Sequence, residues 1–396
     1  MHPRTLIDRV GTGAVLVAPL LLLHGRGLAE AAFALIAALF LVRSGMVRDW
    51  TWLRRTWVRV ALAWWVWLVC CSALGGGLGQ ALAAGRFVLL VAALEHWVLR
   101  ETWVRAWLLR LVRWSAFYIA LQCAVQFAFG RNLFGWPRGA DGELTGPYKN
   151  PRAATPLSRL LFPALLPIAR TPVAGLLLFA GGVAVMVMIG QRMPLLLTFL
   201  GLFATALLMP GLRMPVLFAA ILAGALLAVL PVVSPQASHR LMTEFSQQML
   251  HFGGSHYGEI AARALAIGRA HPLFGAGFDG FRRLCDDPAY FGAEGGAGIC
   301  VQHPHNFYLQ ALVESGVPGL LLFGALVLAW LLAAFPGAGD RVRVGLFVGV
   351  LIQLWPIASS NDTFSMPVFG WFCLLLGLAL AERRAYIPSP SEFPEA

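Results

Sequence analysis

The chain consists mainly of apolar runs long enough to cross the roughly 30 Å hydrocarbon core of a bilayer, separated by short turns. Backbone groups in lipid must be hydrogen-bonded within the protein, and the runs lack the alternation of membrane β-strands, so helices are predicted. The sequence therefore predicts an all-α polytopic membrane protein in which residues 1–396 form a single membrane domain. About twelve spans are predicted, at residues 11–24, 28–43, 57–74, 79–99, 107–129, 154–169, 173–190, 193–209, 214–233, 317–335, 343–359 and 365–381.

Two polar stretches interrupt this pattern. Residues 130–153 form a first loop, and residues 234–306 form a large loop that leads into the tenth span. Within the large loop, Glu259 to Ala270 is predicted to be a short amphipathic helix. The chemistry of the protein is expected where this loop returns to the membrane.

Basic residues set the predicted orientation, because short loops rich in Arg and Lys stay on the cytoplasmic side. Alternation from a cytoplasmic N-terminus places both polar loops outside, together with the turn at 75–79, and it places both termini inside. The basic residues assigned to the cytoplasmic side are Arg4, Arg9, Arg43, Arg48, Arg54, Arg55, Arg100, Arg105, Arg110, Arg113, Arg341, Arg343, Arg383 and Arg384.

Composition agrees with this interpretation, since 59% of the residues are hydrophobic, only 12% are charged, and the mean hydropathy is +0.72. Topology accounts for much of the net charge of +11, and no base-stacking or groove-reading module is visible, so no nucleic-acid partner is predicted. The first span lacks a cleavage site and is predicted to be a retained helix. The Pro-rich tail from Ile387 to Ala396 is predicted to be disordered.

The cysteines fall into two groups. Four of them lie in predicted spans and are interpreted as small buried hydrophobic residues. Cys285 and Cys300 lie in the large loop with several glycines between them, which favours a disulfide that closes the loop. Two free thiols are the alternative. A zinc site fits less well, because these cysteines and the nearby His303 and His305 lack the usual paired ligand spacing.

A polar junction follows the second of these cysteines. Asn306 is predicted to cap a helix that begins at Phe307 and ends at Gly316, which places His305 at the entrance of the helix. The alternative for His305 is an ordinary surface histidine. Glu314 lies near the end of this helix, either exposed or positioning an arginine.

Arginine also occurs where the topology disfavours it. Arg192 occupies the minimal turn between two very apolar spans on the predicted outer face. A bound anion would explain its position, and a snorkelling membrane anchor is the alternative. The other cations assigned to the outer face are Lys149, Arg152, Arg240 and Arg263.

Several motifs together resemble the bacterial O-antigen ligase and polymerase superfamily. The strongest is the run His303-Pro304-His305-Asn306-Phe307-Tyr308-Leu309-Gln310, followed by Glu314-Ser315-Gly316. Gly146 to Arg152, the turn Gly190-Gln191-Arg192, and the segment from Arg263 to Phe281 resemble further motifs of that family. Gln191 departs from the family pattern, in which a small residue is common.

The resemblance implies a metal-independent, inverting glycosyltransferase that requires no cofactor. It implies transfer of a glycan from an undecaprenyl diphosphate donor to a hydroxyl of lipid A-core oligosaccharide, at the periplasmic face of the bacterial inner membrane. The residue chemistry is compatible with that reaction. Arginine binds phosphate with two parallel hydrogen bonds, so Arg192 and Arg263 are predicted to bind the diphosphate.

Neutral imidazole accepts protons near neutrality, so His305 is predicted to act as the base. His303 is a candidate for orienting His305 or for capping the loop. Lys149, Arg152 and Arg240 are candidates for binding phosphate or core glycan.

Other functions remain open from the sequence alone. An O-antigen polymerase needs the same base and the same phosphate contacts. A secondary transporter also commonly has about twelve helices, but two similar halves are not visible, and mid-span charges are few, mainly Arg86, Glu95 and Arg159. A formal G-x-G-x-x-G occurs at residues 275–280, but no strand precedes it, so a tight turn is favoured over a nucleotide site.

Overall fold

The computed structural model describes residues 5–140, 142–150, 152–291, 300–337, 339–357, 362–366 and 368–386. Within these ranges the chain is helical and contains no strand, which confirms the all-α prediction. The predicted disordered tail lies outside the described residues. The helices are α1 Leu6–His24, α2 Arg26–Met46, α3 Thr56–Gly75, α4 Leu78–Ala93, α5 Thr102–Phe129, α6 Ala154–Leu165, α7 Pro172–Ile189, α8 Arg192–Leu208, α9 Arg213–Val233, α10 Pro235–Ser238, α11 Phe245–Leu250, α12 His256–Ala270, α13 Gly280–Leu284, α14 Phe307–Ala334, α15 Arg341–Leu351 and α16 Val368–Tyr386.

Each predicted span overlaps a helix, but the helices differ in length and polarity. Among the described residues, eight segments are long and apolar enough to cross a membrane, and they correspond to α1–α5, α7, α9 and α14. The helices α6 and α8 are shorter, and α16 carries three consecutive charged residues, Glu382 to Arg384, near its C-terminal end. At 1.5 Å per residue, α15 is only about 16 Å long, roughly half of a bilayer core.

The span predicted at 343–359 is therefore wrong in its extent, since α15 already ends at Leu351. The chain after α15 forms a turn whose carbonyl groups anchor the start of α14. The Tyr308 hydroxyl donates to the Leu354 carbonyl at 2.7 Å, and the Asn306 amide donates to the Pro356 carbonyl at 2.6 Å. Residues 358–359 lie outside the described part of the chain.

The helices predicted within and after the large loop are present. Helix α12 covers the predicted amphipathic segment, and the Asn306 side chain caps α14 by accepting from the backbone N–H groups of Tyr308 and Leu309. Gly316 interrupts α14 with φ 67° and ψ −170°. A side chain at Gly316 would place its Cβ 2.4 Å from the Leu273 carbonyl oxygen, so only glycine fits this break.

Helix α6 lies at the centre of the bundle. Every residue from Pro156 to Leu165 is buried, and α5, α7, α8 and α15 all pack around this helix. Gly345 and Gly349 of α15 allow close approach, because a Cβ at either position would lie 3.0 Å or less from a backbone carbonyl oxygen of α6. Apart from Ser158 and Arg159, the residues of α6 from Pro156 to Leu165 are apolar, which suits a helix that is surrounded by other helices.

The two ends of the bundle have different contents. Segments predicted to be cytoplasmic meet at one end, the basic end, through the pairs Arg43–Asp8, Arg55–Glu95, Arg105–Glu382 and Arg384–His96. Segments predicted to be outside meet at the other end. There the large loop contacts three other segments. Its Arg283 contacts Gly75 of the 75–79 turn, its Arg240 contacts Glu143 of the first loop, and its Gln248 contacts Arg192 in the turn between α7 and α8. The contacts therefore gather these loops at the end of the bundle opposite the basic end, and which end faces the periplasm stays a prediction.

Candidate functional site

A cavity of about 500 Å³ opens at the end of the bundle where α6, α8 and α14 begin. The segment from 240 to 261, which contains α11 and the start of α12, lines part of it. The lining residues are Thr155, Arg159, Gln191, Arg192, Met193, Pro194, Arg240, Phe245, Gln248, Phe252, Ser255, Tyr257, Ala261, Pro304, His305, Asn306, Leu309, Pro356 and Ile357. Three of these residues are arginines and none is acidic, so the lining is cationic.

Arg192 is the first residue of α8 and lines the cavity. The turn before it is made possible by Gly190, which has φ 77° and ends α7. One guanidinium nitrogen of Arg192 donates to the Gln248 side-chain oxygen at 2.6 Å, and another lies 3.4 Å from a carboxylate oxygen of Glu244. Both partners belong to the large loop, so these contacts join α8 to the 240–261 segment, which lines the cavity.

His305 lines the same cavity from the start of α14. It has φ 52°, a left-handed backbone conformation that is unusual for a residue with a side chain and is common at functional sites. The ring of Tyr257 lies 5.8 Å away and that of His303 lies 4.5 Å away, measured between ring centroids. The cap at Asn306, itself bonded to Pro356, holds the residue next to His305 in place.

Two further arginines line the cavity. Arg240 forms an ion pair with Glu143 and thereby joins the two outer loops. Arg159 lies on α6, is only 5% exposed, and donates from Nη1 to the Thr155 carbonyl at 2.8 Å. Sequence reasoning noted Arg159 only as a mid-span charge, although an arginine in an otherwise apolar helix was itself a signal.

The structure does not bring the remaining predicted residues to the cavity wall. Arg263 is fully buried, donates from Nη1 to the Cys285 carbonyl at 2.8 Å, and lies over the ring of Phe291 at 4.4 Å. It joins α12 to the segment around Cys285 and is not part of the described lining of the cavity, so its binding to the diphosphate stays a prediction. Lys149 and Arg152 are exposed outside the cavity, and His303 stands behind His305.

A disulfide and the tight turn at residues 275–280, called the glycine turn below, fix the conformation of the large loop. Cys285 and Cys300 are joined by a disulfide, with 5.3 Å between their Cα atoms. In the glycine turn, the Ala276 and Gly277 N–H groups donate to carbonyls of α14 at 2.7 and 3.1 Å. Those N–H groups are occupied by protein, which excludes a phosphate-binding role for the turn.

Glu314 is buried and does not position an arginine among the described residues. Its carboxylate accepts from the Gln310 amide at 3.0 Å and from the Asp279 N–H at 3.2 Å, and so fastens the glycine turn to α14. Burial, and then repulsion by Asp362, raises the pKa of the Asp279 carboxyl. Within the described ranges, no group of three or more His, Cys, Asp or Glu side chains is arranged to hold a metal ion.

The fold and the cavity define a polytopic helical membrane protein with arginines and a histidine gathered at one end of the bundle. Residues 175–324, less than half of the chain, match the family model described as O-antigen ligase. This match confirms the resemblance to the O-antigen ligase and polymerase superfamily, and it includes the segments that carry Arg192, Arg240 and His305. Members of that family are glycosyltransferase-like enzymes of lipopolysaccharide synthesis.

The other comparisons add little. No curated protein matches the chain. A chain in a solved structure described as "Structural coordination of polymerization and crosslinking by a peptidoglycan synthase complex" is 18% identical, with a TM-score of 0.45. The similarity covers 85% of this chain and 98% of that chain. A similarity of this size does not establish a common fold.

Proposed function

We propose that this protein is an O-antigen ligase. It transfers a glycan from undecaprenyl diphosphate to a hydroxyl of lipid A-core oligosaccharide, at the periplasmic face of the bacterial inner membrane. One observation carries the proposal: His305 and Arg192, which lie on separate segments of the matched region, line one cavity whose described lining contains no carboxylate. A cationic cavity beside a potential base suits a substrate with a diphosphate leaving group.

The chemistry requires one bond to form while another breaks. The acceptor hydroxyl oxygen bonds to the anomeric carbon, the bond from that carbon to the diphosphate oxygen breaks with its electron pair, and His305 takes the hydroxyl proton. Arg192 stabilises the negative charge that develops on the leaving diphosphate. Attack from the face opposite the leaving group inverts the anomeric configuration.

The remaining cations have separate proposed roles. Arg240 lines the cavity and is proposed to contact phosphate or glycan while it keeps its ion pair with the buried Glu143. Lys149 and Arg152 are exposed, so we assign them to the anionic groups of the incoming core acceptor. His303, with its ring 4.5 Å from that of His305, is proposed to orient the base.

Deletion of the gene followed by electrophoresis of extracted lipopolysaccharide tests this function. A ligase mutant retains core without attached polymer and accumulates polymer on the carrier lipid, and the wild-type gene restores the polymer ladder. Core that carries a single repeat unit would instead identify a polymerase. Unchanged lipopolysaccharide, with altered ion-dependent uptake of a small solute, would overturn the enzyme assignment in favour of a transporter.

A further inference from the structure

The least neutralised charge in the cavity belongs to Arg159. Arg192 forms an ion pair with Glu244, and Arg240 forms one with Glu143. Within the described part of the chain, by contrast, no carboxylate lies within 4.0 Å of Arg159, and its Nε has no hydrogen-bond partner. Its one hydrogen bond, to a carbonyl of its own helix, leaves most of its donors unused.

The surroundings of Arg159 make this charge costly. Arg159 is 5% exposed, and the residues that follow it on α6, from Leu160 to Leu165, are apolar and buried. Burying an ionised group without a partner is strongly unfavourable, whereas leucine or methionine at this position would pack without that cost. The charge is therefore expected to have a partner that is not part of the protein.

The position of Arg159 indicates where that partner binds. Thr155 and Arg159 are one helical turn apart and both line the cavity, so the cavity extends about 6 Å along the first turns of α6. Arg192 at the start of α8 lines the same cavity. An anionic ligand that occupies this cavity therefore lies against a wall to which both helices contribute an arginine.

We propose that Arg159 binds the carrier diphosphate together with Arg192, in the role that sequence reasoning assigned to Arg263. The inference rests on the proposed function, because the diphosphate is the anion that this function brings into the cavity. Two guanidinium groups match two phosphates, and each can donate two parallel hydrogen bonds to phosphate oxygens. Arg159 is thus a substrate-binding residue that favours diphosphate over monophosphate.

Binding of undecaprenyl diphosphate and undecaprenyl monophosphate to the purified full-length protein tests the proposal. The wild type should prefer the diphosphate. Arg159→Gln should weaken diphosphate binding by about 10- to 100-fold and remove most of the preference, since charge-assisted hydrogen bonds are lost. The matched control is Arg170→Gln, at an exposed position outside the cavity, which should bind like the wild type.

A second measurement separates binding from folding. Because Arg159 is a buried charge without an acidic partner among the described residues, Arg159→Met should keep the melting temperature of the ligand-free protein or raise it by about 2 °C. A large fall in melting temperature would assign Arg159 a structural role and overturn the proposal. So would an Arg159→Gln protein that keeps the diphosphate preference of the wild type. If the wild type itself binds undecaprenyl diphosphate no better than undecaprenol, the proposed donor is wrong, and the inference about Arg159 ends with it.

Discussion

Two ion pairs, one at each end of the helical bundle, join an arginine to acids that differ in exposure. At the basic end, Arg55 donates to Glu95, whose side chain is only 1% exposed and which also accepts from Trp57. At the cavity end, Arg192 pairs with Glu244, whose side chain is 42% exposed. A buried acid is a permanent partner that fastens helices together. An exposed acid can be replaced by the phosphate of a ligand at little cost.

The comparison also explains why arginine occurs on the predicted outer face at all. Loop arginines at the basic end follow the positive-inside tendency and need no ligand. Those at the cavity end oppose that tendency, and they converge on one space beside His305. Changes at the cavity end should therefore alter transfer without altering folding, and changes at the basic end should alter folding without altering transfer.

His305 should give the largest effect. In His305→Gln the side chain keeps polar atoms of similar reach but cannot accept the hydroxyl proton, so transfer should fall by about 10²- to 10⁴-fold. The measurement is transfer of labelled glycan from the lipid carrier to lipid A-core by the purified protein. Melting temperature should stay unchanged.

The matched control for His305 is another histidine of the large loop. His251→Gln, at an exposed position outside the cavity, should transfer at the wild-type rate. Equal losses in the two variants, or wild-type activity in His305→Gln, would show that His305 is not the base.

Arg192→Lys should give the next largest effect. The charge is retained, but a lysine ammonium cannot form the two parallel hydrogen bonds that a guanidinium gives to phosphate, so transfer should fall by about 10- to 100-fold. The control is Arg213→Lys, at the exposed start of α9 and away from the cavity. Normal transfer by Arg192→Lys would mean that Arg192 acts only as a membrane anchor or as a contact to Glu244.

Local signals in the sequence were sufficient for much of the architecture. Apolar runs located the helices, and Asn306 and Gly316 marked the start and the break of α14, because caps and left-handed turns depend on neighbouring residues. The short α15 was not predictable, since its end depends on carbonyl contacts with Asn306 and Tyr308 across the bundle.

The candidate site was predictable only in part, for the same reason. Arg192 and His305 were found because they sit at junctions between membrane and loop. Arg263 contacts the Cys285 carbonyl and is not part of the described lining of the cavity, whereas Arg159, which the sequence marks only as a mid-span charge, lines it. Neither contact has a local signal, because each depends on how distant segments pack.

At the basic end, Glu95→Gln should lower stability rather than transfer. The carboxylate accepts from Arg55 and from the Trp57 indole at 2.8 Å, and neutralising it weakens both bonds inside the protein. Since Arg55 is 43% exposed, solvent limits the loss to about 1–3 kcal/mol, seen as a lower melting temperature. Transfer per folded molecule should remain normal.

The control for this variant is Asp286→Asn, which neutralises a carboxylate at an exposed position of the large loop. Surface charges of this kind contribute about 0–1 kcal/mol, so the melting temperature should scarcely change. A transfer defect in Glu95→Gln that persists after correction for folded protein would abolish the proposed division between the two ends.

Glu244 should give the smallest effect, and its sign is the informative part. In the ligand-free protein the Glu244 carboxylate lies 3.4 Å from Arg192 and competes with the donor for this guanidinium. An exposed pair of this kind contributes about 0.2–1 kcal/mol, so Glu244→Gln should lower the KM for the donor by about 1.5- to 5-fold. The neighbouring variant Gln248→Glu adds a second carboxylate at the atom that now accepts from Arg192 at 2.6 Å, and it should raise the KM. Opposite shifts are expected only if the donor replaces these side chains on Arg192, whereas shifts in the same direction would place the donor elsewhere.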